Sequence, residues 1–75
     1  MKLKKAIREA KKLKKSGLID AEFVAVDQDK SIYCYGKKPN PAITTGMWAM
    51  NHGIILQIGF YTGSKPWRET LRTVE

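Results

Sequence analysis

Acidic residues are almost missing from the first fifteen positions of this chain, and cysteine and long apolar runs are scarce throughout it. The single cysteine, Cys34, excludes an intramolecular disulfide, and no Cys-x-x-Cys pair or histidine cluster indicates a metal. The longest aliphatic run, residues 54–56, is far shorter than the roughly 20 residues that span a bilayer. The basic start lacks the apolar stretch of a signal peptide. These absences predict a cytoplasmic protein with no membrane segment, metal or cofactor.

The positive charge of the chain is concentrated in one segment. Positions 1–15 hold eight Lys or Arg residues against one acidic residue, Glu9, so this segment carries 8 − 1 = +7. The remaining six basic and six acidic residues cancel. With 75 residues the chain is expected to form one small domain with a single modest core and no deep substrate cavity. A neutral body with a cationic arm presents a directed field, which predicts a polyanionic partner.

Residues 2–16 have the pattern of an amphipathic helix that ends at Ser16 and Gly17. At about 100° per residue, an apolar stripe of roughly 120° consists of Leu3, Ala6, Ile7, Ala10 and Leu13. An arc of similar width on the opposite side consists of Lys4, Lys5, Arg8, Lys11, Lys12 and Lys15. The apolar stripe is expected to face the core, and the cationic arc to face outward.

After Gly17 the periodicity is that of strands. Residues 21–35 predict a hairpin, in which Ile32 and Cys34 alternate with Tyr33 and Tyr35. The more apolar pair is expected to meet the helix, so that the two tyrosines face outward.

The rest of the chain predicts a loop, a second hairpin and a short helix. Residues 36–45 contain two prolines and predict the loop, and residues 46–61 predict the hairpin, with Asn51, His52 and Gly53 at its turn. Alternation in that hairpin would place Ile54, Leu56, Ile58 and Phe60 on one face. Residues 65–73 predict the short helix. The expected fold is therefore α+β: a basic amphipathic helix packed on an antiparallel sheet of three or four strands, followed by a short C-terminal helix.

No residue pattern predicts catalysis. His52 lies in the predicted turn without a partner at triad or metal-ligand spacing, and Cys34 has the setting of a small core side chain. Asp27 and Asp29 begin like a calcium loop, but the distal glycine and glutamate are missing. We therefore expect a binding protein and not an enzyme.

The cationic arc has two interpretations. One is an ordinary solvated lysine surface, whose long side-chain stems cover apolar neighbours. The other is contact with phosphates, for which lysine point charges are suited without reading sequence, with Lys37 and Lys38 of the predicted loop adding contacts. Because the charge is so strongly segregated, nucleic acid or a nucleoprotein complex is the favoured partner.

The aromatic residues also have two interpretations. Tyr33 and Tyr35 are suited either to stack on unpaired bases or to fill an ordinary half-buried sheet. Trp48 and Trp67 are either core residues or anchors of a protein interface.

A resemblance concerns about a third of the chain, from Gly46 to Leu71. The segments concerned are Gly46-Met-Trp48, Asn51-His-Gly53, Ile58-Gly59-Phe-Tyr61-Thr-Gly63 and Pro66-Trp67-Arg-Glu-Thr-Leu71. In general character they resemble small accessory proteins encoded by bacteriophages. Such proteins often inhibit CRISPR complexes, restriction enzymes or polymerases, so the resemblance implies an alternative function: inhibition of a host protein in the host cytoplasm. The cationic face would then dock on an acidic or nucleic-acid-binding host protein, and the oligomeric state is left open.

Overall fold

The computed structural model describes residues 1–50 and 53–74, and in these the chain forms one helix and two antiparallel sheets. In chain order the elements are α1 (Leu3–Ser16), β1 (Phe23–Val26), β2 (Ser31–Tyr35), β3 (Asn40–Ala42), β4 (Met47–Ala49), β5 (Ile55–Phe60), a 3-10 turn (Trp67–Glu69) and β6 (Arg72–Thr73). Four strands form the larger sheet in the order β5-β2-β1-β6, and β3 pairs with β4 in the smaller one. The predicted α+β fold, with the N-terminal helix on an antiparallel sheet of three or four strands, is confirmed, and the sheet has four.

Two alanines allow α1 to lie close to the larger sheet. Ala6 and Ala10 are fully buried, and the clusters around them include Val26 and Val24 of β1 and Cys34 of β2. The helix ends as predicted at Gly17, whose φ of 78° is left-handed and whose N–H donates to the Lys14 carbonyl at 3.2 Å. The apolar stripe therefore forms the core, and the cationic arc points away from it.

The first hairpin is also confirmed. β1 and β2 pair from Phe23 opposite Tyr35 to Val26 opposite Ile32, and the connecting turn holds Lys30 at a φ of 77°. Ile32 and Cys34 belong to the clusters beneath α1, as the alternation predicts.

The tyrosines of β2 do not face outward freely, because the smaller sheet covers their side of the larger sheet. Tyr35 is 1% exposed and clusters with Ala25 and Trp48. The Trp48 indole N–H donates to the Val26 carbonyl at 3.0 Å, which attaches β4 to β1. The strand β1 is thus covered on both faces.

The predicted loop at 36–45 and hairpin at 46–61 are wrong in their pairing. β4 pairs with the preceding strand, β3, which lies within the predicted loop. β5 pairs with β2 and not with β4. Pro41 is tolerated in β3 because a strand with only one neighbour needs only half of its main-chain groups for pairing. Asn51 and His52 of the predicted turn lie outside the described residues.

A β-bulge in β5 also changes which face its side chains occupy. Ile32 of β2 lies opposite Gly59, while the next residue, Tyr33, lies opposite Gln57, so Ile58 is the extra residue. Ile58 packs beneath α1, but the shifted alternation places Phe60 opposite Ser31, where it stays 62% exposed. The prediction that Phe60 shares a face with Ile58 is therefore wrong.

The predicted short C-terminal helix is only a 3-10 turn. The buried Thr70 hydroxyl donates to the Trp67 carbonyl at 2.6 Å and accepts from the Val26 N–H at 2.9 Å. These bonds hold the turn against β1, and the chain then extends so that Arg72 and Thr73 pair with β1 as an edge strand. Tertiary pairing has here overridden a local helical pattern.

Candidate polyanion-binding surface

The cationic arc of α1 is an exposed surface on one side of the molecule. Its six members, Lys4, Lys5, Arg8, Lys11, Lys12 and Lys15, are all exposed. Glu9 is the only acidic residue of α1, and its carboxylate lies 3.8 Å from the Lys12 ammonium. From Lys4 to Lys15 the arc extends over about 16 Å of helix, at about 1.5 Å per residue. We call this set of six side chains the cationic face.

Lys14 lies outside the cationic face and is held by an ion pair. Its ammonium is 2.6 Å from the Glu22 carboxylate, and this hydrogen-bonded pairing raises the pKa of Lys14 and lowers that of Glu22. The neighbouring Asp20 has a raised pKa because it shares a hydrogen bond with Glu22 and feels that negative charge. These two carboxylates bound the positive surface at the C-terminal end of α1.

At the N-terminal end of α1 the positive surface continues onto another segment. A cleft of about 490 Å³ lies between the first turn of α1 and residues 61–65. Its lining includes the three lysines Lys2, Lys4 and Lys65, together with Ser64 and Tyr61, and no acidic residue. The Tyr61 hydroxyl accepts a hydrogen bond from the Lys65 main-chain N–H at 3.3 Å, which fixes the segment beside the helix. Sequence reasoning missed Lys2 and Lys65, because only the fold brings Lys65 to a helix about sixty positions away.

Lys37 and Lys38 are exposed, but they belong to a different part of the surface. They follow Gly36, the residue after β2, whose main chain lies close to that of Asp20. A Cβ atom added at Gly36 would be 3.1 Å from the Asp20 carbonyl oxygen. Neither lysine lines the cleft that Lys2, Lys4 and Lys65 share.

The predicted aromatic sites are mostly buried. Tyr35 and Trp48, at 1% and 6% exposed, have no open ring face on which a base could stack. Tyr33 and Trp67 are half-buried; the Tyr33 ring lies 6.4 Å from that of Tyr35, and Trp67 meets Trp48 edge-on at 6.0 Å. The Trp48 main-chain N–H donates to the buried Asp27 carboxylate at 3.0 Å.

The groove beside these aromatic residues is acidic. It has a volume of about 240 Å³, and Asp27 and Asp29 line it together with Tyr33 and Met47. Two carboxylates repel a phosphate backbone, so this side of the molecule is a poor surface for nucleic acid. The charge on this side of the molecule is therefore opposite to that of α1 and its adjoining cleft.

Metal-ligand side chains and the single cysteine were compared over residues 1–50 and 53–74. Within those residues no three His, Cys, Asp or Glu side chains are grouped as metal ligands would be. Cys34 is buried, and burial raises the pKa of its thiol, which disfavours the nucleophilic thiolate. In the same ranges no helix combines the length and the apolar character needed to cross a membrane.

The chain matches no protein-family model, no curated protein and no solved structure.

Proposed function

We propose that this chain is a non-catalytic, cytoplasmic binding module whose cationic face contacts the phosphate backbone of a nucleic acid or nucleoprotein complex. The observation that supports this proposal most strongly is the sorting of charge on α1. Six exposed cations occupy one face, with Glu9 as the only acidic residue of the helix, while the opposite face is buried against the sheet.

The size of the cationic face favours a polymer over a small anion. Its length of about 16 Å is that of roughly five nucleotides along one strand of a duplex, at about 3.4 Å per nucleotide. The cleft with Lys2 and Lys65 extends the same positive surface beyond the helix. Five of the six cations of the face are lysines, which neutralise phosphates without the fixed geometry that reads bases. Binding is therefore expected to depend weakly on sequence and strongly on salt.

Inhibition of a host protein is the alternative function. It is favoured by the exposed Phe60, because an exposed aromatic side chain on a small protein is suited to anchor an interface. Against it, every Trp and Tyr of the chain is at least half-buried, and these residue types are the commonest anchors. The alternative predicts weak binding to free nucleic acid and a tight complex with one host protein.

The proposal is tested by fluorescence anisotropy of labelled single-stranded and duplex oligonucleotides at roughly 50 and 200 mM salt. We compare the wild type with a variant in which Lys4, Arg8, Lys11 and Lys15 are changed to Glu. A control changes only Lys37 and Lys38 to Glu, because these lysines belong neither to the cationic face nor to the cleft beside it; it alters the net charge by −4, against −8 in the four-site variant. Wild-type affinity should fall by orders of magnitude with salt and disappear in the four-site variant, while the control should retain most of it. No binding by the wild type at low salt would refute the proposal.

A further inference from the structure

The outer edge of β5 is an unpaired strand edge with exposed apolar side chains. In residues 1–50 and 53–74, β5 pairs only with β2. The Gly36 N–H donates to the Ile54 carbonyl at 3.0 Å, so the main chain of Ile54 faces β2. Because main-chain direction alternates along a strand, the N–H and C=O groups of Ile55 and Gln57 face the open side. The last part of the edge is occupied, because Met1 donates to the Phe60 carbonyl and accepts from the Thr62 N–H.

From Ile55 to Gln57, before the part that Met1 covers, this edge lacks the features that protect strand edges from association. Natural edges are blocked by charges, prolines or very short strands. β5 has six residues, none of them charged and none a proline. The whole segment 39–64 contains no Asp, Glu, Lys or Arg, although charged residues make up 28% of the chain. Around the edge, Ile54, Ile55, Leu56 and Phe60 are between 41% and 62% exposed.

The opposite edge of the sheet is different, and this restricts how two copies can pair. β6 has only two residues and includes the charged Arg72. A head-to-tail chain of sheets would require β6 of one copy to pair with β5 of the next. The two residues of β6 offer too few main-chain groups for that pairing. Pairing of β5 with β5 is closed by a two-fold axis, so it gives a dimer and not a filament.

We propose that β5 pairs antiparallel with β5 of a second copy of this chain. In one register the free main-chain groups of Ile55 and Gln57 are all hydrogen-bonded to the other copy. This register places Ile55 opposite Gln57 of the other copy, with Leu56 opposite Leu56 at the centre. Two uncharged and mainly apolar strands meet in this arrangement. The exposed apolar surface is on the order of 300 Å² per copy, the size of the largest patch on a typical monomer. This is less than the roughly 800 Å² per partner of a standard interface, so the dimer should be weak.

The dimer would double the cationic face. The two-fold axis between antiparallel strands runs perpendicular to the sheet, so both α1 helices would lie on the same side of a continuous eight-stranded sheet. This consequence rests on the proposed function, whereas the pairing of β5 does not. Two linked surfaces would raise the apparent affinity for a long polyanion without any new contact.

Self-association is measured without nucleic acid, by sedimentation equilibrium from roughly 5 to 500 µM. The wild type should change from the mass of one chain to that of two, with a dissociation constant on the order of 10–100 µM, as expected for a small interface. Ile55→Lys should weaken the dimer at least tenfold by placing a charge on the edge. Ile43→Lys adds the same charge at an exposed isoleucine of the β3–β4 turn and should not change the dimer. A wild type that stays monomeric throughout would overturn the proposal.

The register is tested by oxidation of Leu56→Cys. Non-hydrogen-bonded pairs bring Cα atoms to about 4.5 Å, within the range that a disulfide bridges. L56C should form a covalent dimer, whereas I43C and the wild type, whose Cys34 is buried, should not. Cross-linking of L56C no faster than I43C would refute the pairing. Failure of oligonucleotide binding would leave both results unchanged, so the two proposals are tested separately.

Discussion

The neighbouring residues Lys14 and Lys15 provide a sharp test of the cationic face. They belong to the same last turn of α1, and replacing either by glutamine removes one positive charge from the chain. The Lys14 ammonium is held 2.6 Å from Glu22, whereas Lys15 is an exposed member of the cationic face. We therefore expect Lys15→Gln to weaken oligonucleotide binding much more than Lys14→Gln.

Counterion release gives the expected magnitude. Each phosphate contact contributes about 0.9 to the slope of log K against log salt, so one lost contact costs roughly eightfold in affinity at about 0.1 M salt. K15Q should show this loss and a slope reduced by about 0.9, whereas K14Q should change affinity less than about twofold. Anisotropy titrations at four or five salt concentrations measure both quantities. Equal effects of the two variants would refute the reasoning, because they would show that only net charge matters.

Two further predictions concern the side chains that join the smaller sheet and the C-terminal turn to β1. Thr70→Val leaves a buried main-chain N–H of β1 without its acceptor and should lower the free energy of unfolding by about 1–3 kcal/mol. Each kcal/mol corresponds to a decrease of about 4–8 °C in Tm. The exposed Thr73→Val should have little effect; urea unfolding measures both variants, and equal stability of the two would contradict the hydrogen-bond argument. Asp27→Asn keeps an acceptor for the Trp48 N–H and removes a buried charge. Burial raises the pKa of Asp27, so the folded state binds the carboxyl proton more tightly than the unfolded state does. Wild-type stability should therefore fall relative to that of D27N as the pH rises through the folded pKa. Thermal unfolding between pH 4 and 7 measures this difference in stability, and a difference of the opposite sign would refute the prediction.

Local periodicity predicted the parts of the fold whose contacts are local in sequence. The 3.6-residue pattern of residues 3–13 determines which face of α1 is buried, and the short link between β1 and β2 makes their pairing the nearest available. The burial of Ile32 and Cys34 beneath the helix follows from the same alternation.

Pairing partners that are distant in sequence were not predictable in this way. Residues 46–50 and 54–61 form strands as expected, but each has a better partner elsewhere, β3 and β2 respectively. The bulge at Ile58 reverses the side-chain alternation that the pattern predicts for Phe60, since a single extra residue exchanges the two faces.

In the candidate site, too, the predictable residues are those whose positions depend on local sequence alone. The cationic face was predictable because all six residues belong to one helix. The burial of Tyr35 and Trp48 depends on the smaller sheet, which the predicted loop at 36–45 did not contain. The contribution of Lys65 depends on the chain returning to the start of α1 after β5.

Contact between α1 and nucleic acid can be observed residue by residue in an NMR titration of the labelled protein with a short oligonucleotide at low salt. We predict chemical-shift changes at the exposed residues of α1, from Lys4 to Lys15, and in segment 62–65 beside it. Changes confined to the acidic groove around Asp29 and Tyr33, or to the β5 edge, would contradict the account, as would the absence of any change.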